Sequence, residues 1–268
     1  MRCREYVYAA RKEASALASA LGFGELGERL RRQAEAVQER FEETFWCDEL
    51  ESYALALDGE KRPCRVLASN AGHCLWTGIA DASRAERLAR RMGRDDFHSG
   101  WGVRTLAAGQ ARYNPMSYHN GSMWPHDNAI IAAGLARYGF KDHATRILSG
   151  LFDASLFLDL ARMPELFCGF ERGPGAGPTP YPVARAPQAW AAGAFFMTLQ
   201  ACLGLSVDGM RGRVSFDHPA LPQSLEEVTV RKLRVGQGEV DLVIRRYERD
   251  VGVDVLDRAG RVQVEVLK

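Results

Sequence analysis

Asp127-Asn-Ala-Ile-Ile-Ala-Ala-Gly-Leu-Ala-Arg-Tyr138 is nearly all apolar and ends at Gly139, and the segment after it, Asp142 to Arg162, is longer and charged at both ends. A helix that is apolar all round must be buried on every side, whereas an amphipathic one lies half in water. The same alternation recurs along the chain. Ala71 to Ala80, with His73, Leu75, Trp76 and Ile79, precedes Ser83 to Met92, where Ser83 reads as an N-cap and Glu86 as its capping-box partner. Glu5 to Leu21 places Tyr6, Ala9, Ala10, Leu17 and Leu21 at helical spacing and stops at Gly22 and Gly24. Glu25 to Trp46 sets a stripe of Leu26, Leu30, Ala34, Val37, Phe41 and Phe45 against a solvated face that includes Arg29, Arg31 and Arg32. The link between these two helices is so short that they must run antiparallel. Pro187 to Leu205 is again small and apolar throughout. Buried helices alternating with half-exposed ones predict two concentric layers, which is the logic of an α/α toroid.

The period changes near Ser206. Val228–Val230, Leu233–Val235, Val240–Ile244, Val251–Val255 and Val262–Val266 alternate apolar and polar, with turns expected at Gln237-Gly238 and Ala259-Gly260. A mainly α chain therefore closes with a small β module, and the expected division is residues 1–205 for the helical part and 206–268 for the module packed on it. Ser52 to Leu57 followed by Asp58-Gly59 predicts a short hairpin. Asp95-Asp96 reads as a solvated turn, and Glu171 beside Arg172 as an ion-paired loop residue.

The 268 residues, 46% hydrophobic and 26% charged, suffice for a real core and exclude disordered and collagenous classes. Lys and Arg number 35 against 34 for Asp and Glu, so a formal charge of +1 leaves no field to attract nucleic acid or an anionic membrane. Cysteines at 3, 47, 64, 74, 168 and 202 show neither C-x-x-C nor metal-ligand spacing and read as buried thiols of a reducing cytoplasm. The longest apolar stretch, Ala189 to Leu205, is interrupted by Gly193, Thr198, Gln200 and Gly204, and the N-terminus has no apolar core of a signal peptide, so neither a membrane span nor secretion is signalled. No dinucleotide, P-loop, zinc-protease or nucleophile-elbow motif is present.

The chemistry is expected in two loops. The first, Trp101 to Asp127, gathers Tyr113, Tyr118, His119, Asn120, Trp124, His126 and Asp127 just before a buried helix. Aromatic faces beside amides and carboxylates suit a sugar, whose ring has apolar C–H faces and a belt of hydroxyls. The alternative is structural: Asp127 caps its helix while Trp124 and His126 pack the loop. In the second, Met163 to Arg172, Glu165 follows a proline and is flanked by Met163, Leu166 and Phe167. Such apolar surroundings would raise its pKa and suit a general base, although a lone carboxylate at a helix end can equally be structural.

The string Tyr113-Asn-Pro-Met-Ser-Tyr-His-Asn-Gly-Ser-Met-Trp-Pro-His-Asp-Asn128, with Pro164-Glu-Leu-Phe-Cys-Gly-Phe170, Tyr181-Pro-Val183, Pro187-Gln-Ala-Trp190 and Ser69-Asn-Ala-Gly-His-Cys-Leu-Trp76, resembles the bacterial amylo-α-1,6-glucosidase, or glycogen-debranching-enzyme-like, family. The resemblance implies an (α/α)6 toroid of the six-hairpin glycosidase type, shared by glucoamylases, trehalases and processing glucosidases, with inverting hydrolysis of an α-glucan or related oligosaccharide at its mouth. Within it, Glu165 matches the general base, and His119, Asn120, Trp124, His126 and Asp127 match the substrate-lining loop. Trp101, Tyr113, Tyr118, Gly121 and Gln188 complete the expected substrate-binding set. No metal or organic cofactor is implied.

An inverting glycosidase needs two carboxyl groups roughly 6.5 to 9.5 Å apart, one to protonate the leaving oxygen and one to activate water. The family carries its acid in a Gly-Trp-Lys-Asp-Ser-type motif upstream of the helix that begins near Tyr6, and this sequence lacks that motif. About seven helices are read, fewer than six hairpins need. The chain is thus expected to be the C-terminal portion of such an enzyme, nearly inactive alone, with exposed inner helices and with the N-terminal part, as a separate chain, its candidate partner. Two other readings stand beside this one: a non-catalytic carbohydrate-binding or structural remnant, and a sugar epimerase using histidines such as His73, His119 and His126.

Overall fold

α1 (Arg2–Ala20) and α2 (Gly24–Phe45) fold back on each other through a tight helix stop. Gly22 takes φ +87°, the Phe23 N–H donates to the Ala18 carbonyl at 2.8 Å, and the Gly22 N–H to that of Ser19 at 3.1 Å. This pair of bonds satisfies carbonyls that the end of α1 would otherwise leave open. The chain, seen in a computed structural model, is described over residues 2–248 and 250–268; the side chain of Cys3 lies outside the described part.

Five further helices follow: α3 (Gly72–Thr77), α4 (Ala82–Met92), α5 (Pro125–Arg137), α6 (Lys141–Ser155) and α7 (Ala189–Leu203). Alternate helices pack side by side in the order α1, α3, α5, α7, with α2 against α1, α4 against α3, and α6 against both α5 and α7. The apolar residues of α5 explain its central place, since Ala129, Ile131, Ala132 and Leu135 are all buried. Gly134 faces the backbone at Trp76, where a methyl group would collide, so α3 and α5 approach more closely than side chains allow. Phe41 and Phe45 of α2 stack with ring centroids 4.9 Å apart, and Tyr53 leans on Phe41 at 5.1 Å.

Several expectations are corrected. Asp81, not Ser83, caps α4, because its carboxylate accepts from the Ser83 N–H at 2.9 Å and from the Ser83 hydroxyl at 2.6 Å. α6 stops at Ser155 rather than Arg162, since Leu160 and Ala161 take left-handed φ of 51° and 54° and turn the chain toward Glu165. Of the inner helices expected to be exposed, Ala129 to Leu135 and Ala189 to Leu203, the second is exposed in part, with Trp190 at 46% and Phe196 at 73%, whereas the first is not, because α3, α6 and α7 cover α5. Ser52 to Leu57 is split between two short antiparallel pairs, β1 (Trp46–Cys47) with β2 (Ser52–Tyr53), and β3 (Ala56–Leu57) with β4 (Pro63–Cys64). The second is closed by Asp58, whose carboxylate accepts from the N–H groups of Glu60 and Arg62, a longer turn than Asp-Gly alone would make. Asp96 is no free turn residue, because Arg91 grips it through both guanidinium nitrogens and holds its carboxyl below the usual range. Arg172 pairs with Asp153 at 2.5 Å, not with Glu171.

The C-terminal strands form two three-stranded sheets. β7 (Glu227–Val235), β8 (Gly238–Arg246) and β9 (Val251–Ala259) make an antiparallel meander. β10 (Gln263–Leu267) pairs in parallel with β6 (Arg213–Asp217), which pairs antiparallel with β5 (Leu205–Asp208). Val214, Phe216, Leu242 and Ile244 pack with Leu203 at the end of α7, which ties the sheets to the helices. β5 and β6 escape the sequence reading because they are short and alternate over too few residues.

Cys47, Cys74, Cys168 and Cys202 are buried free thiols, and Cys64 is only half-buried on β4. Burial pushes the Cys202 thiol up to about 12. Among the described residues no helix is long and apolar enough to cross a membrane.

Candidate active site

The starts of α3, α5 and α7 converge on one cleft of about 450 Å³, lined by Ser69, Asn70, Thr105, Tyr118, His119, Trp124, His126, Asp127, Glu165 and Trp190. Ser69 and Asn70 lie in the turn that opens α3, Asp127 in the first turn of α5, and Trp190 in that of α7. Glu165 is brought in by the loop that follows α6. Phe167, two residues on, exchanges both backbone bonds with Met123 at 2.9 and 3.0 Å, and the Glu165 N–H donates to the Arg185 carbonyl at 2.8 Å. The Glu165 segment is therefore stitched to the strand that leads into Trp124. Gly169 and Gly121 cross so closely that a side chain at Gly169 would strike the Gly121 carbonyl, which explains the glycines in both motifs.

Glu165 is 8% exposed. Its Oε1 accepts from the Tyr118 hydroxyl at 2.6 Å, and Oε2 faces the Arg185 N–H at 3.4 Å. The expectation of mostly apolar surroundings is corrected: the carboxyl meets a phenol and a backbone amide at the edge of a polar cleft. Bonding to Glu165 pushes the Tyr118 phenol above its usual value. The aromatic wall is continuous. Tyr118 stands edge-on to Trp124 at 4.8 Å, and His126 stacks on Trp190 at 3.9 Å with ring planes 9° apart. Trp124 Nε1 donates to the Ser122 hydroxyl at 2.9 Å and the Tyr118 carbonyl at 3.1 Å, which fixes its ring.

Asp127 does not cap α5. Its Oδ2 accepts from the Ser69 hydroxyl at 2.5 Å and its Oδ1 lies 2.6 Å from His73 Nε2, while the N-cap position is Trp124, without a side-chain bond. A carboxylate in the first turn also complements the positive end of the helix dipole. The cleft thus combines two carboxyl groups with stacked aromatic faces, a combination able to hold a polyhydroxylated ring and to move a proton.

The profile of the "Mannosylglycerate hydrolase MGH1-like glycoside hydrolase domain" matches residues 3–156, more than half of the chain. The chain belongs to this glycoside hydrolase family. The match takes in Ser69, His73, Trp124 and Asp127 and ends before Glu165. No curated protein matches. Among solved structures the chain is similar to a sialidase (TM-score 0.76, 12% identity, covering 97% of this chain and 25% of that one). It is also similar to the GH63 mannosylglycerate hydrolase of Thermus thermophilus in complex with Tris (0.58, 19%, 73% and 43%) and to the neutral trehalase of Saccharomyces cerevisiae (0.57, 14%, 74% and 37%). These likenesses show a shared fold, and the chain spans between a quarter and less than half of the length of each structure.

Within the family frame, the structure brings together Tyr118, His119, Trp124, His126, Asp127 and Glu165 of the expected site. The other expected residues stand apart from the cleft lining. Trp101 is a core residue, packed against Phe157 and beneath the Arg172 guanidinium at 4.6 Å. Tyr113 lies along the Gly121 backbone and its hydroxyl reaches the Gly169 carbonyl at 3.4 Å. Asn120 is exposed, its backbone closing a loop with Asn114 and Ser117. Gly121 is a buried backbone crossing, and Gln188 occupies the N-cap position of α7. Ser69, Asn70, Thr105 and Trp190 line the cleft without having been expected there; Ser69, Asn70 and Trp190 stand in the motifs that carry the resemblance, but nothing in their spacing tells which motif residues face a cleft. His73 stands behind Asp127 rather than in the lining. Among the described residues no three His, Cys, Asp or Glu side chains group as metal ligands.

Proposed function

We propose that the cleft holds one pyranose ring of an α-glucan or related oligosaccharide, in the manner of an amylo-α-1,6-glucosidase, and that Glu165 takes the proton of the attacking water in an inverting hydrolysis. The observation that carries this reading is the meeting of Glu165 with the Tyr118, Trp124 and Trp190 rings and the braced Asp127 in one cleft. A ring stacked on the tryptophans would lay its hydroxyls toward Asp127, which accepts hydrogen bonds, and its anomeric carbon toward Glu165. Asp127 already accepts from Ser69 and faces His73, so it serves as a binding group rather than as the proton donor. In this reading the four-helix row α1, α3, α5, α7 is an arc of a toroid, and the general acid comes from the N-terminal part of such a fold.

The relatives also suggest mannosylglycerate as a substrate. The test is to incubate this chain, alone and with a family N-terminal portion, with malto-oligosaccharides, α-1,6-branched glucan and mannosylglycerate, and to follow the anomer released. Inverted product that disappears in Glu165→Gln supports the proposal. Saturable binding without turnover in every mixture would favour a non-catalytic sugar-binding module, which rests on the same aromatic walls.

A further inference from the structure

A chain of side chains runs from α1 through α3 to the cleft. The Tyr6 hydroxyl lies 2.8 Å from His73 Nδ1, His73 Nε2 lies 2.6 Å from Asp127 Oδ1, and the Ser69 hydroxyl closes on the other oxygen at 2.5 Å. Asp127 is 3% and His73 2% exposed, so neither ring nor carboxyl has bulk water to reorient it. An ionised carboxylate can only accept, which places the shared proton on Nε2. In a neutral imidazole the other nitrogen is then an acceptor, and the neighbouring hydroxyl is the group that can donate to it.

We propose that His73 is a positioning residue for sugar binding: Asp127 selects its Nε2–H tautomer, Tyr6 holds the ring from Nδ1, and His73 with Ser69 fixes the rotamer of Asp127 so that the edge of the carboxylate that lines the cleft meets a sugar hydroxyl. This rests on the sugar-binding reading of the cleft. Three elements distant in sequence have to dock correctly before Asp127 is aimed, so the packing of α1 on α3 is coupled to the site. A misaimed carboxylate costs affinity even when it stays in place, because a hydrogen bond to a charged group is strongly directional.

The tautomer is read directly from long-range imidazole nitrogen–proton correlations on the full chain, with no ligand present. The wild type is expected to show His73 protonated at Nε2, and Tyr6→Phe to keep that tautomer, since Asp127 still accepts from Nε2. Calorimetric titration with glucose and with maltotriose supplies the second readout. His73→Leu is expected to weaken binding about tenfold, and His73→Gln, whose amide donates from near the Nε2 position, to recover it to within about threefold. A proton on Nδ1 in the wild type, or His73→Leu binding as tightly as the wild type, overturns the positioning role. Failure of Gln to rescue where Leu is folded and weakened also counts against it. If the wild type has the Nε2–H form yet binds neither sugar, the sugar-binding reading falls first and takes this role with it.

Discussion

The Tyr118 hydroxyl donates to Glu165 Oε1 at 2.6 Å, across 47 positions of sequence. Tyr118 also stands edge-on to Trp124, so the phenol links the aromatic wall to the carboxyl proposed as the base. One residue therefore touches both the aromatic wall and one oxygen of Glu165.

Tyr118→Phe keeps the ring and removes the bond. Turnover in any active preparation is expected to fall about tenfold with KM changed by less than about threefold, because the base loses its orienting donor while the wall remains. The bond stabilises the protonated phenol, so its contribution is complete below the usual tyrosine value and is lost as pH rises through the raised one. Burial also pushes Tyr53 and Tyr138 above the usual tyrosine value, so a spectroscopic tyrosinate titration should show Tyr118→Phe losing one of the tyrosines that ionise above the normal range while those two stay.

Trp190 is exposed at the cleft edge and stacks on His126. Trp190→Ala is expected to weaken maltotriose binding about tenfold with little change in Tm, since an exposed aromatic contributes to a bound ring more than to the core. Intrinsic fluorescence should respond to maltotriose in the wild type and respond less in the variant. Equal affinities would remove Trp190 from the site.

The helical alternation is legible because α5 is apolar on every side while α4 and α6 are not, and the loop from Tyr113 to Asp127 announces itself by composition. Which side chains of that loop turn inward is not legible. Trp101 and Trp124 are equally aromatic, yet one packs against Phe157 and the other lines the cleft, and only tertiary bridges such as Met123 to Phe167 decide between them. The braced Asp127 is hidden for the same reason: its partners Ser69 and His73 lie 58 and 54 positions away. The cap of α4 is ambiguous in sequence because Asp81 and Ser83 are both good cap residues, and it is the acid that reaches the free N–H groups.

His98 should make the fold acid-sensitive. Burial first, with help from the charges of Arg146 and Arg104 and from His143, pushes its pKa down to about 3. Above the usual histidine value both folded and unfolded chains leave it neutral, so it contributes nothing to the pH slope. Between that value and about 3 the unfolded chain binds a proton that the folded one refuses, and stability falls by up to about 1.4 kcal/mol per pH unit. His98→Asn retains an acceptor for the Gly100 N–H, which now donates to Nδ1 at 3.0 Å. Denaturant titrations across this range should show a shallower pH slope for the variant; parallel slopes would contradict the assignment.

Phe152, Phe195 and Phe196 line an apolar groove of about 530 Å³ between the end of α6 and α7, beside the exposed Leu156, Phe157 and Leu160. A patch of this kind favours self-association in water. Light scattering of the purified chain is expected to show association that rises with salt and is reduced in Phe196→Lys. A wild type that stays monomeric at high concentration would show that this surface is tolerated in water.

The proposed sugar site is the cleft at the starts of α3, α5 and α7, between its tryptophans and its two carboxyl groups. The decisive measurement is a crystal of Glu165→Gln, which removes the proposed base but keeps the walls, soaked with maltotriose. The expected result is one pyranose ring against Trp190 or Trp124, a hydroxyl within hydrogen-bond distance of Asp127, and the substituted amide at position 165 near the anomeric carbon. Sugar bound elsewhere on the molecule with this cleft empty would contradict it.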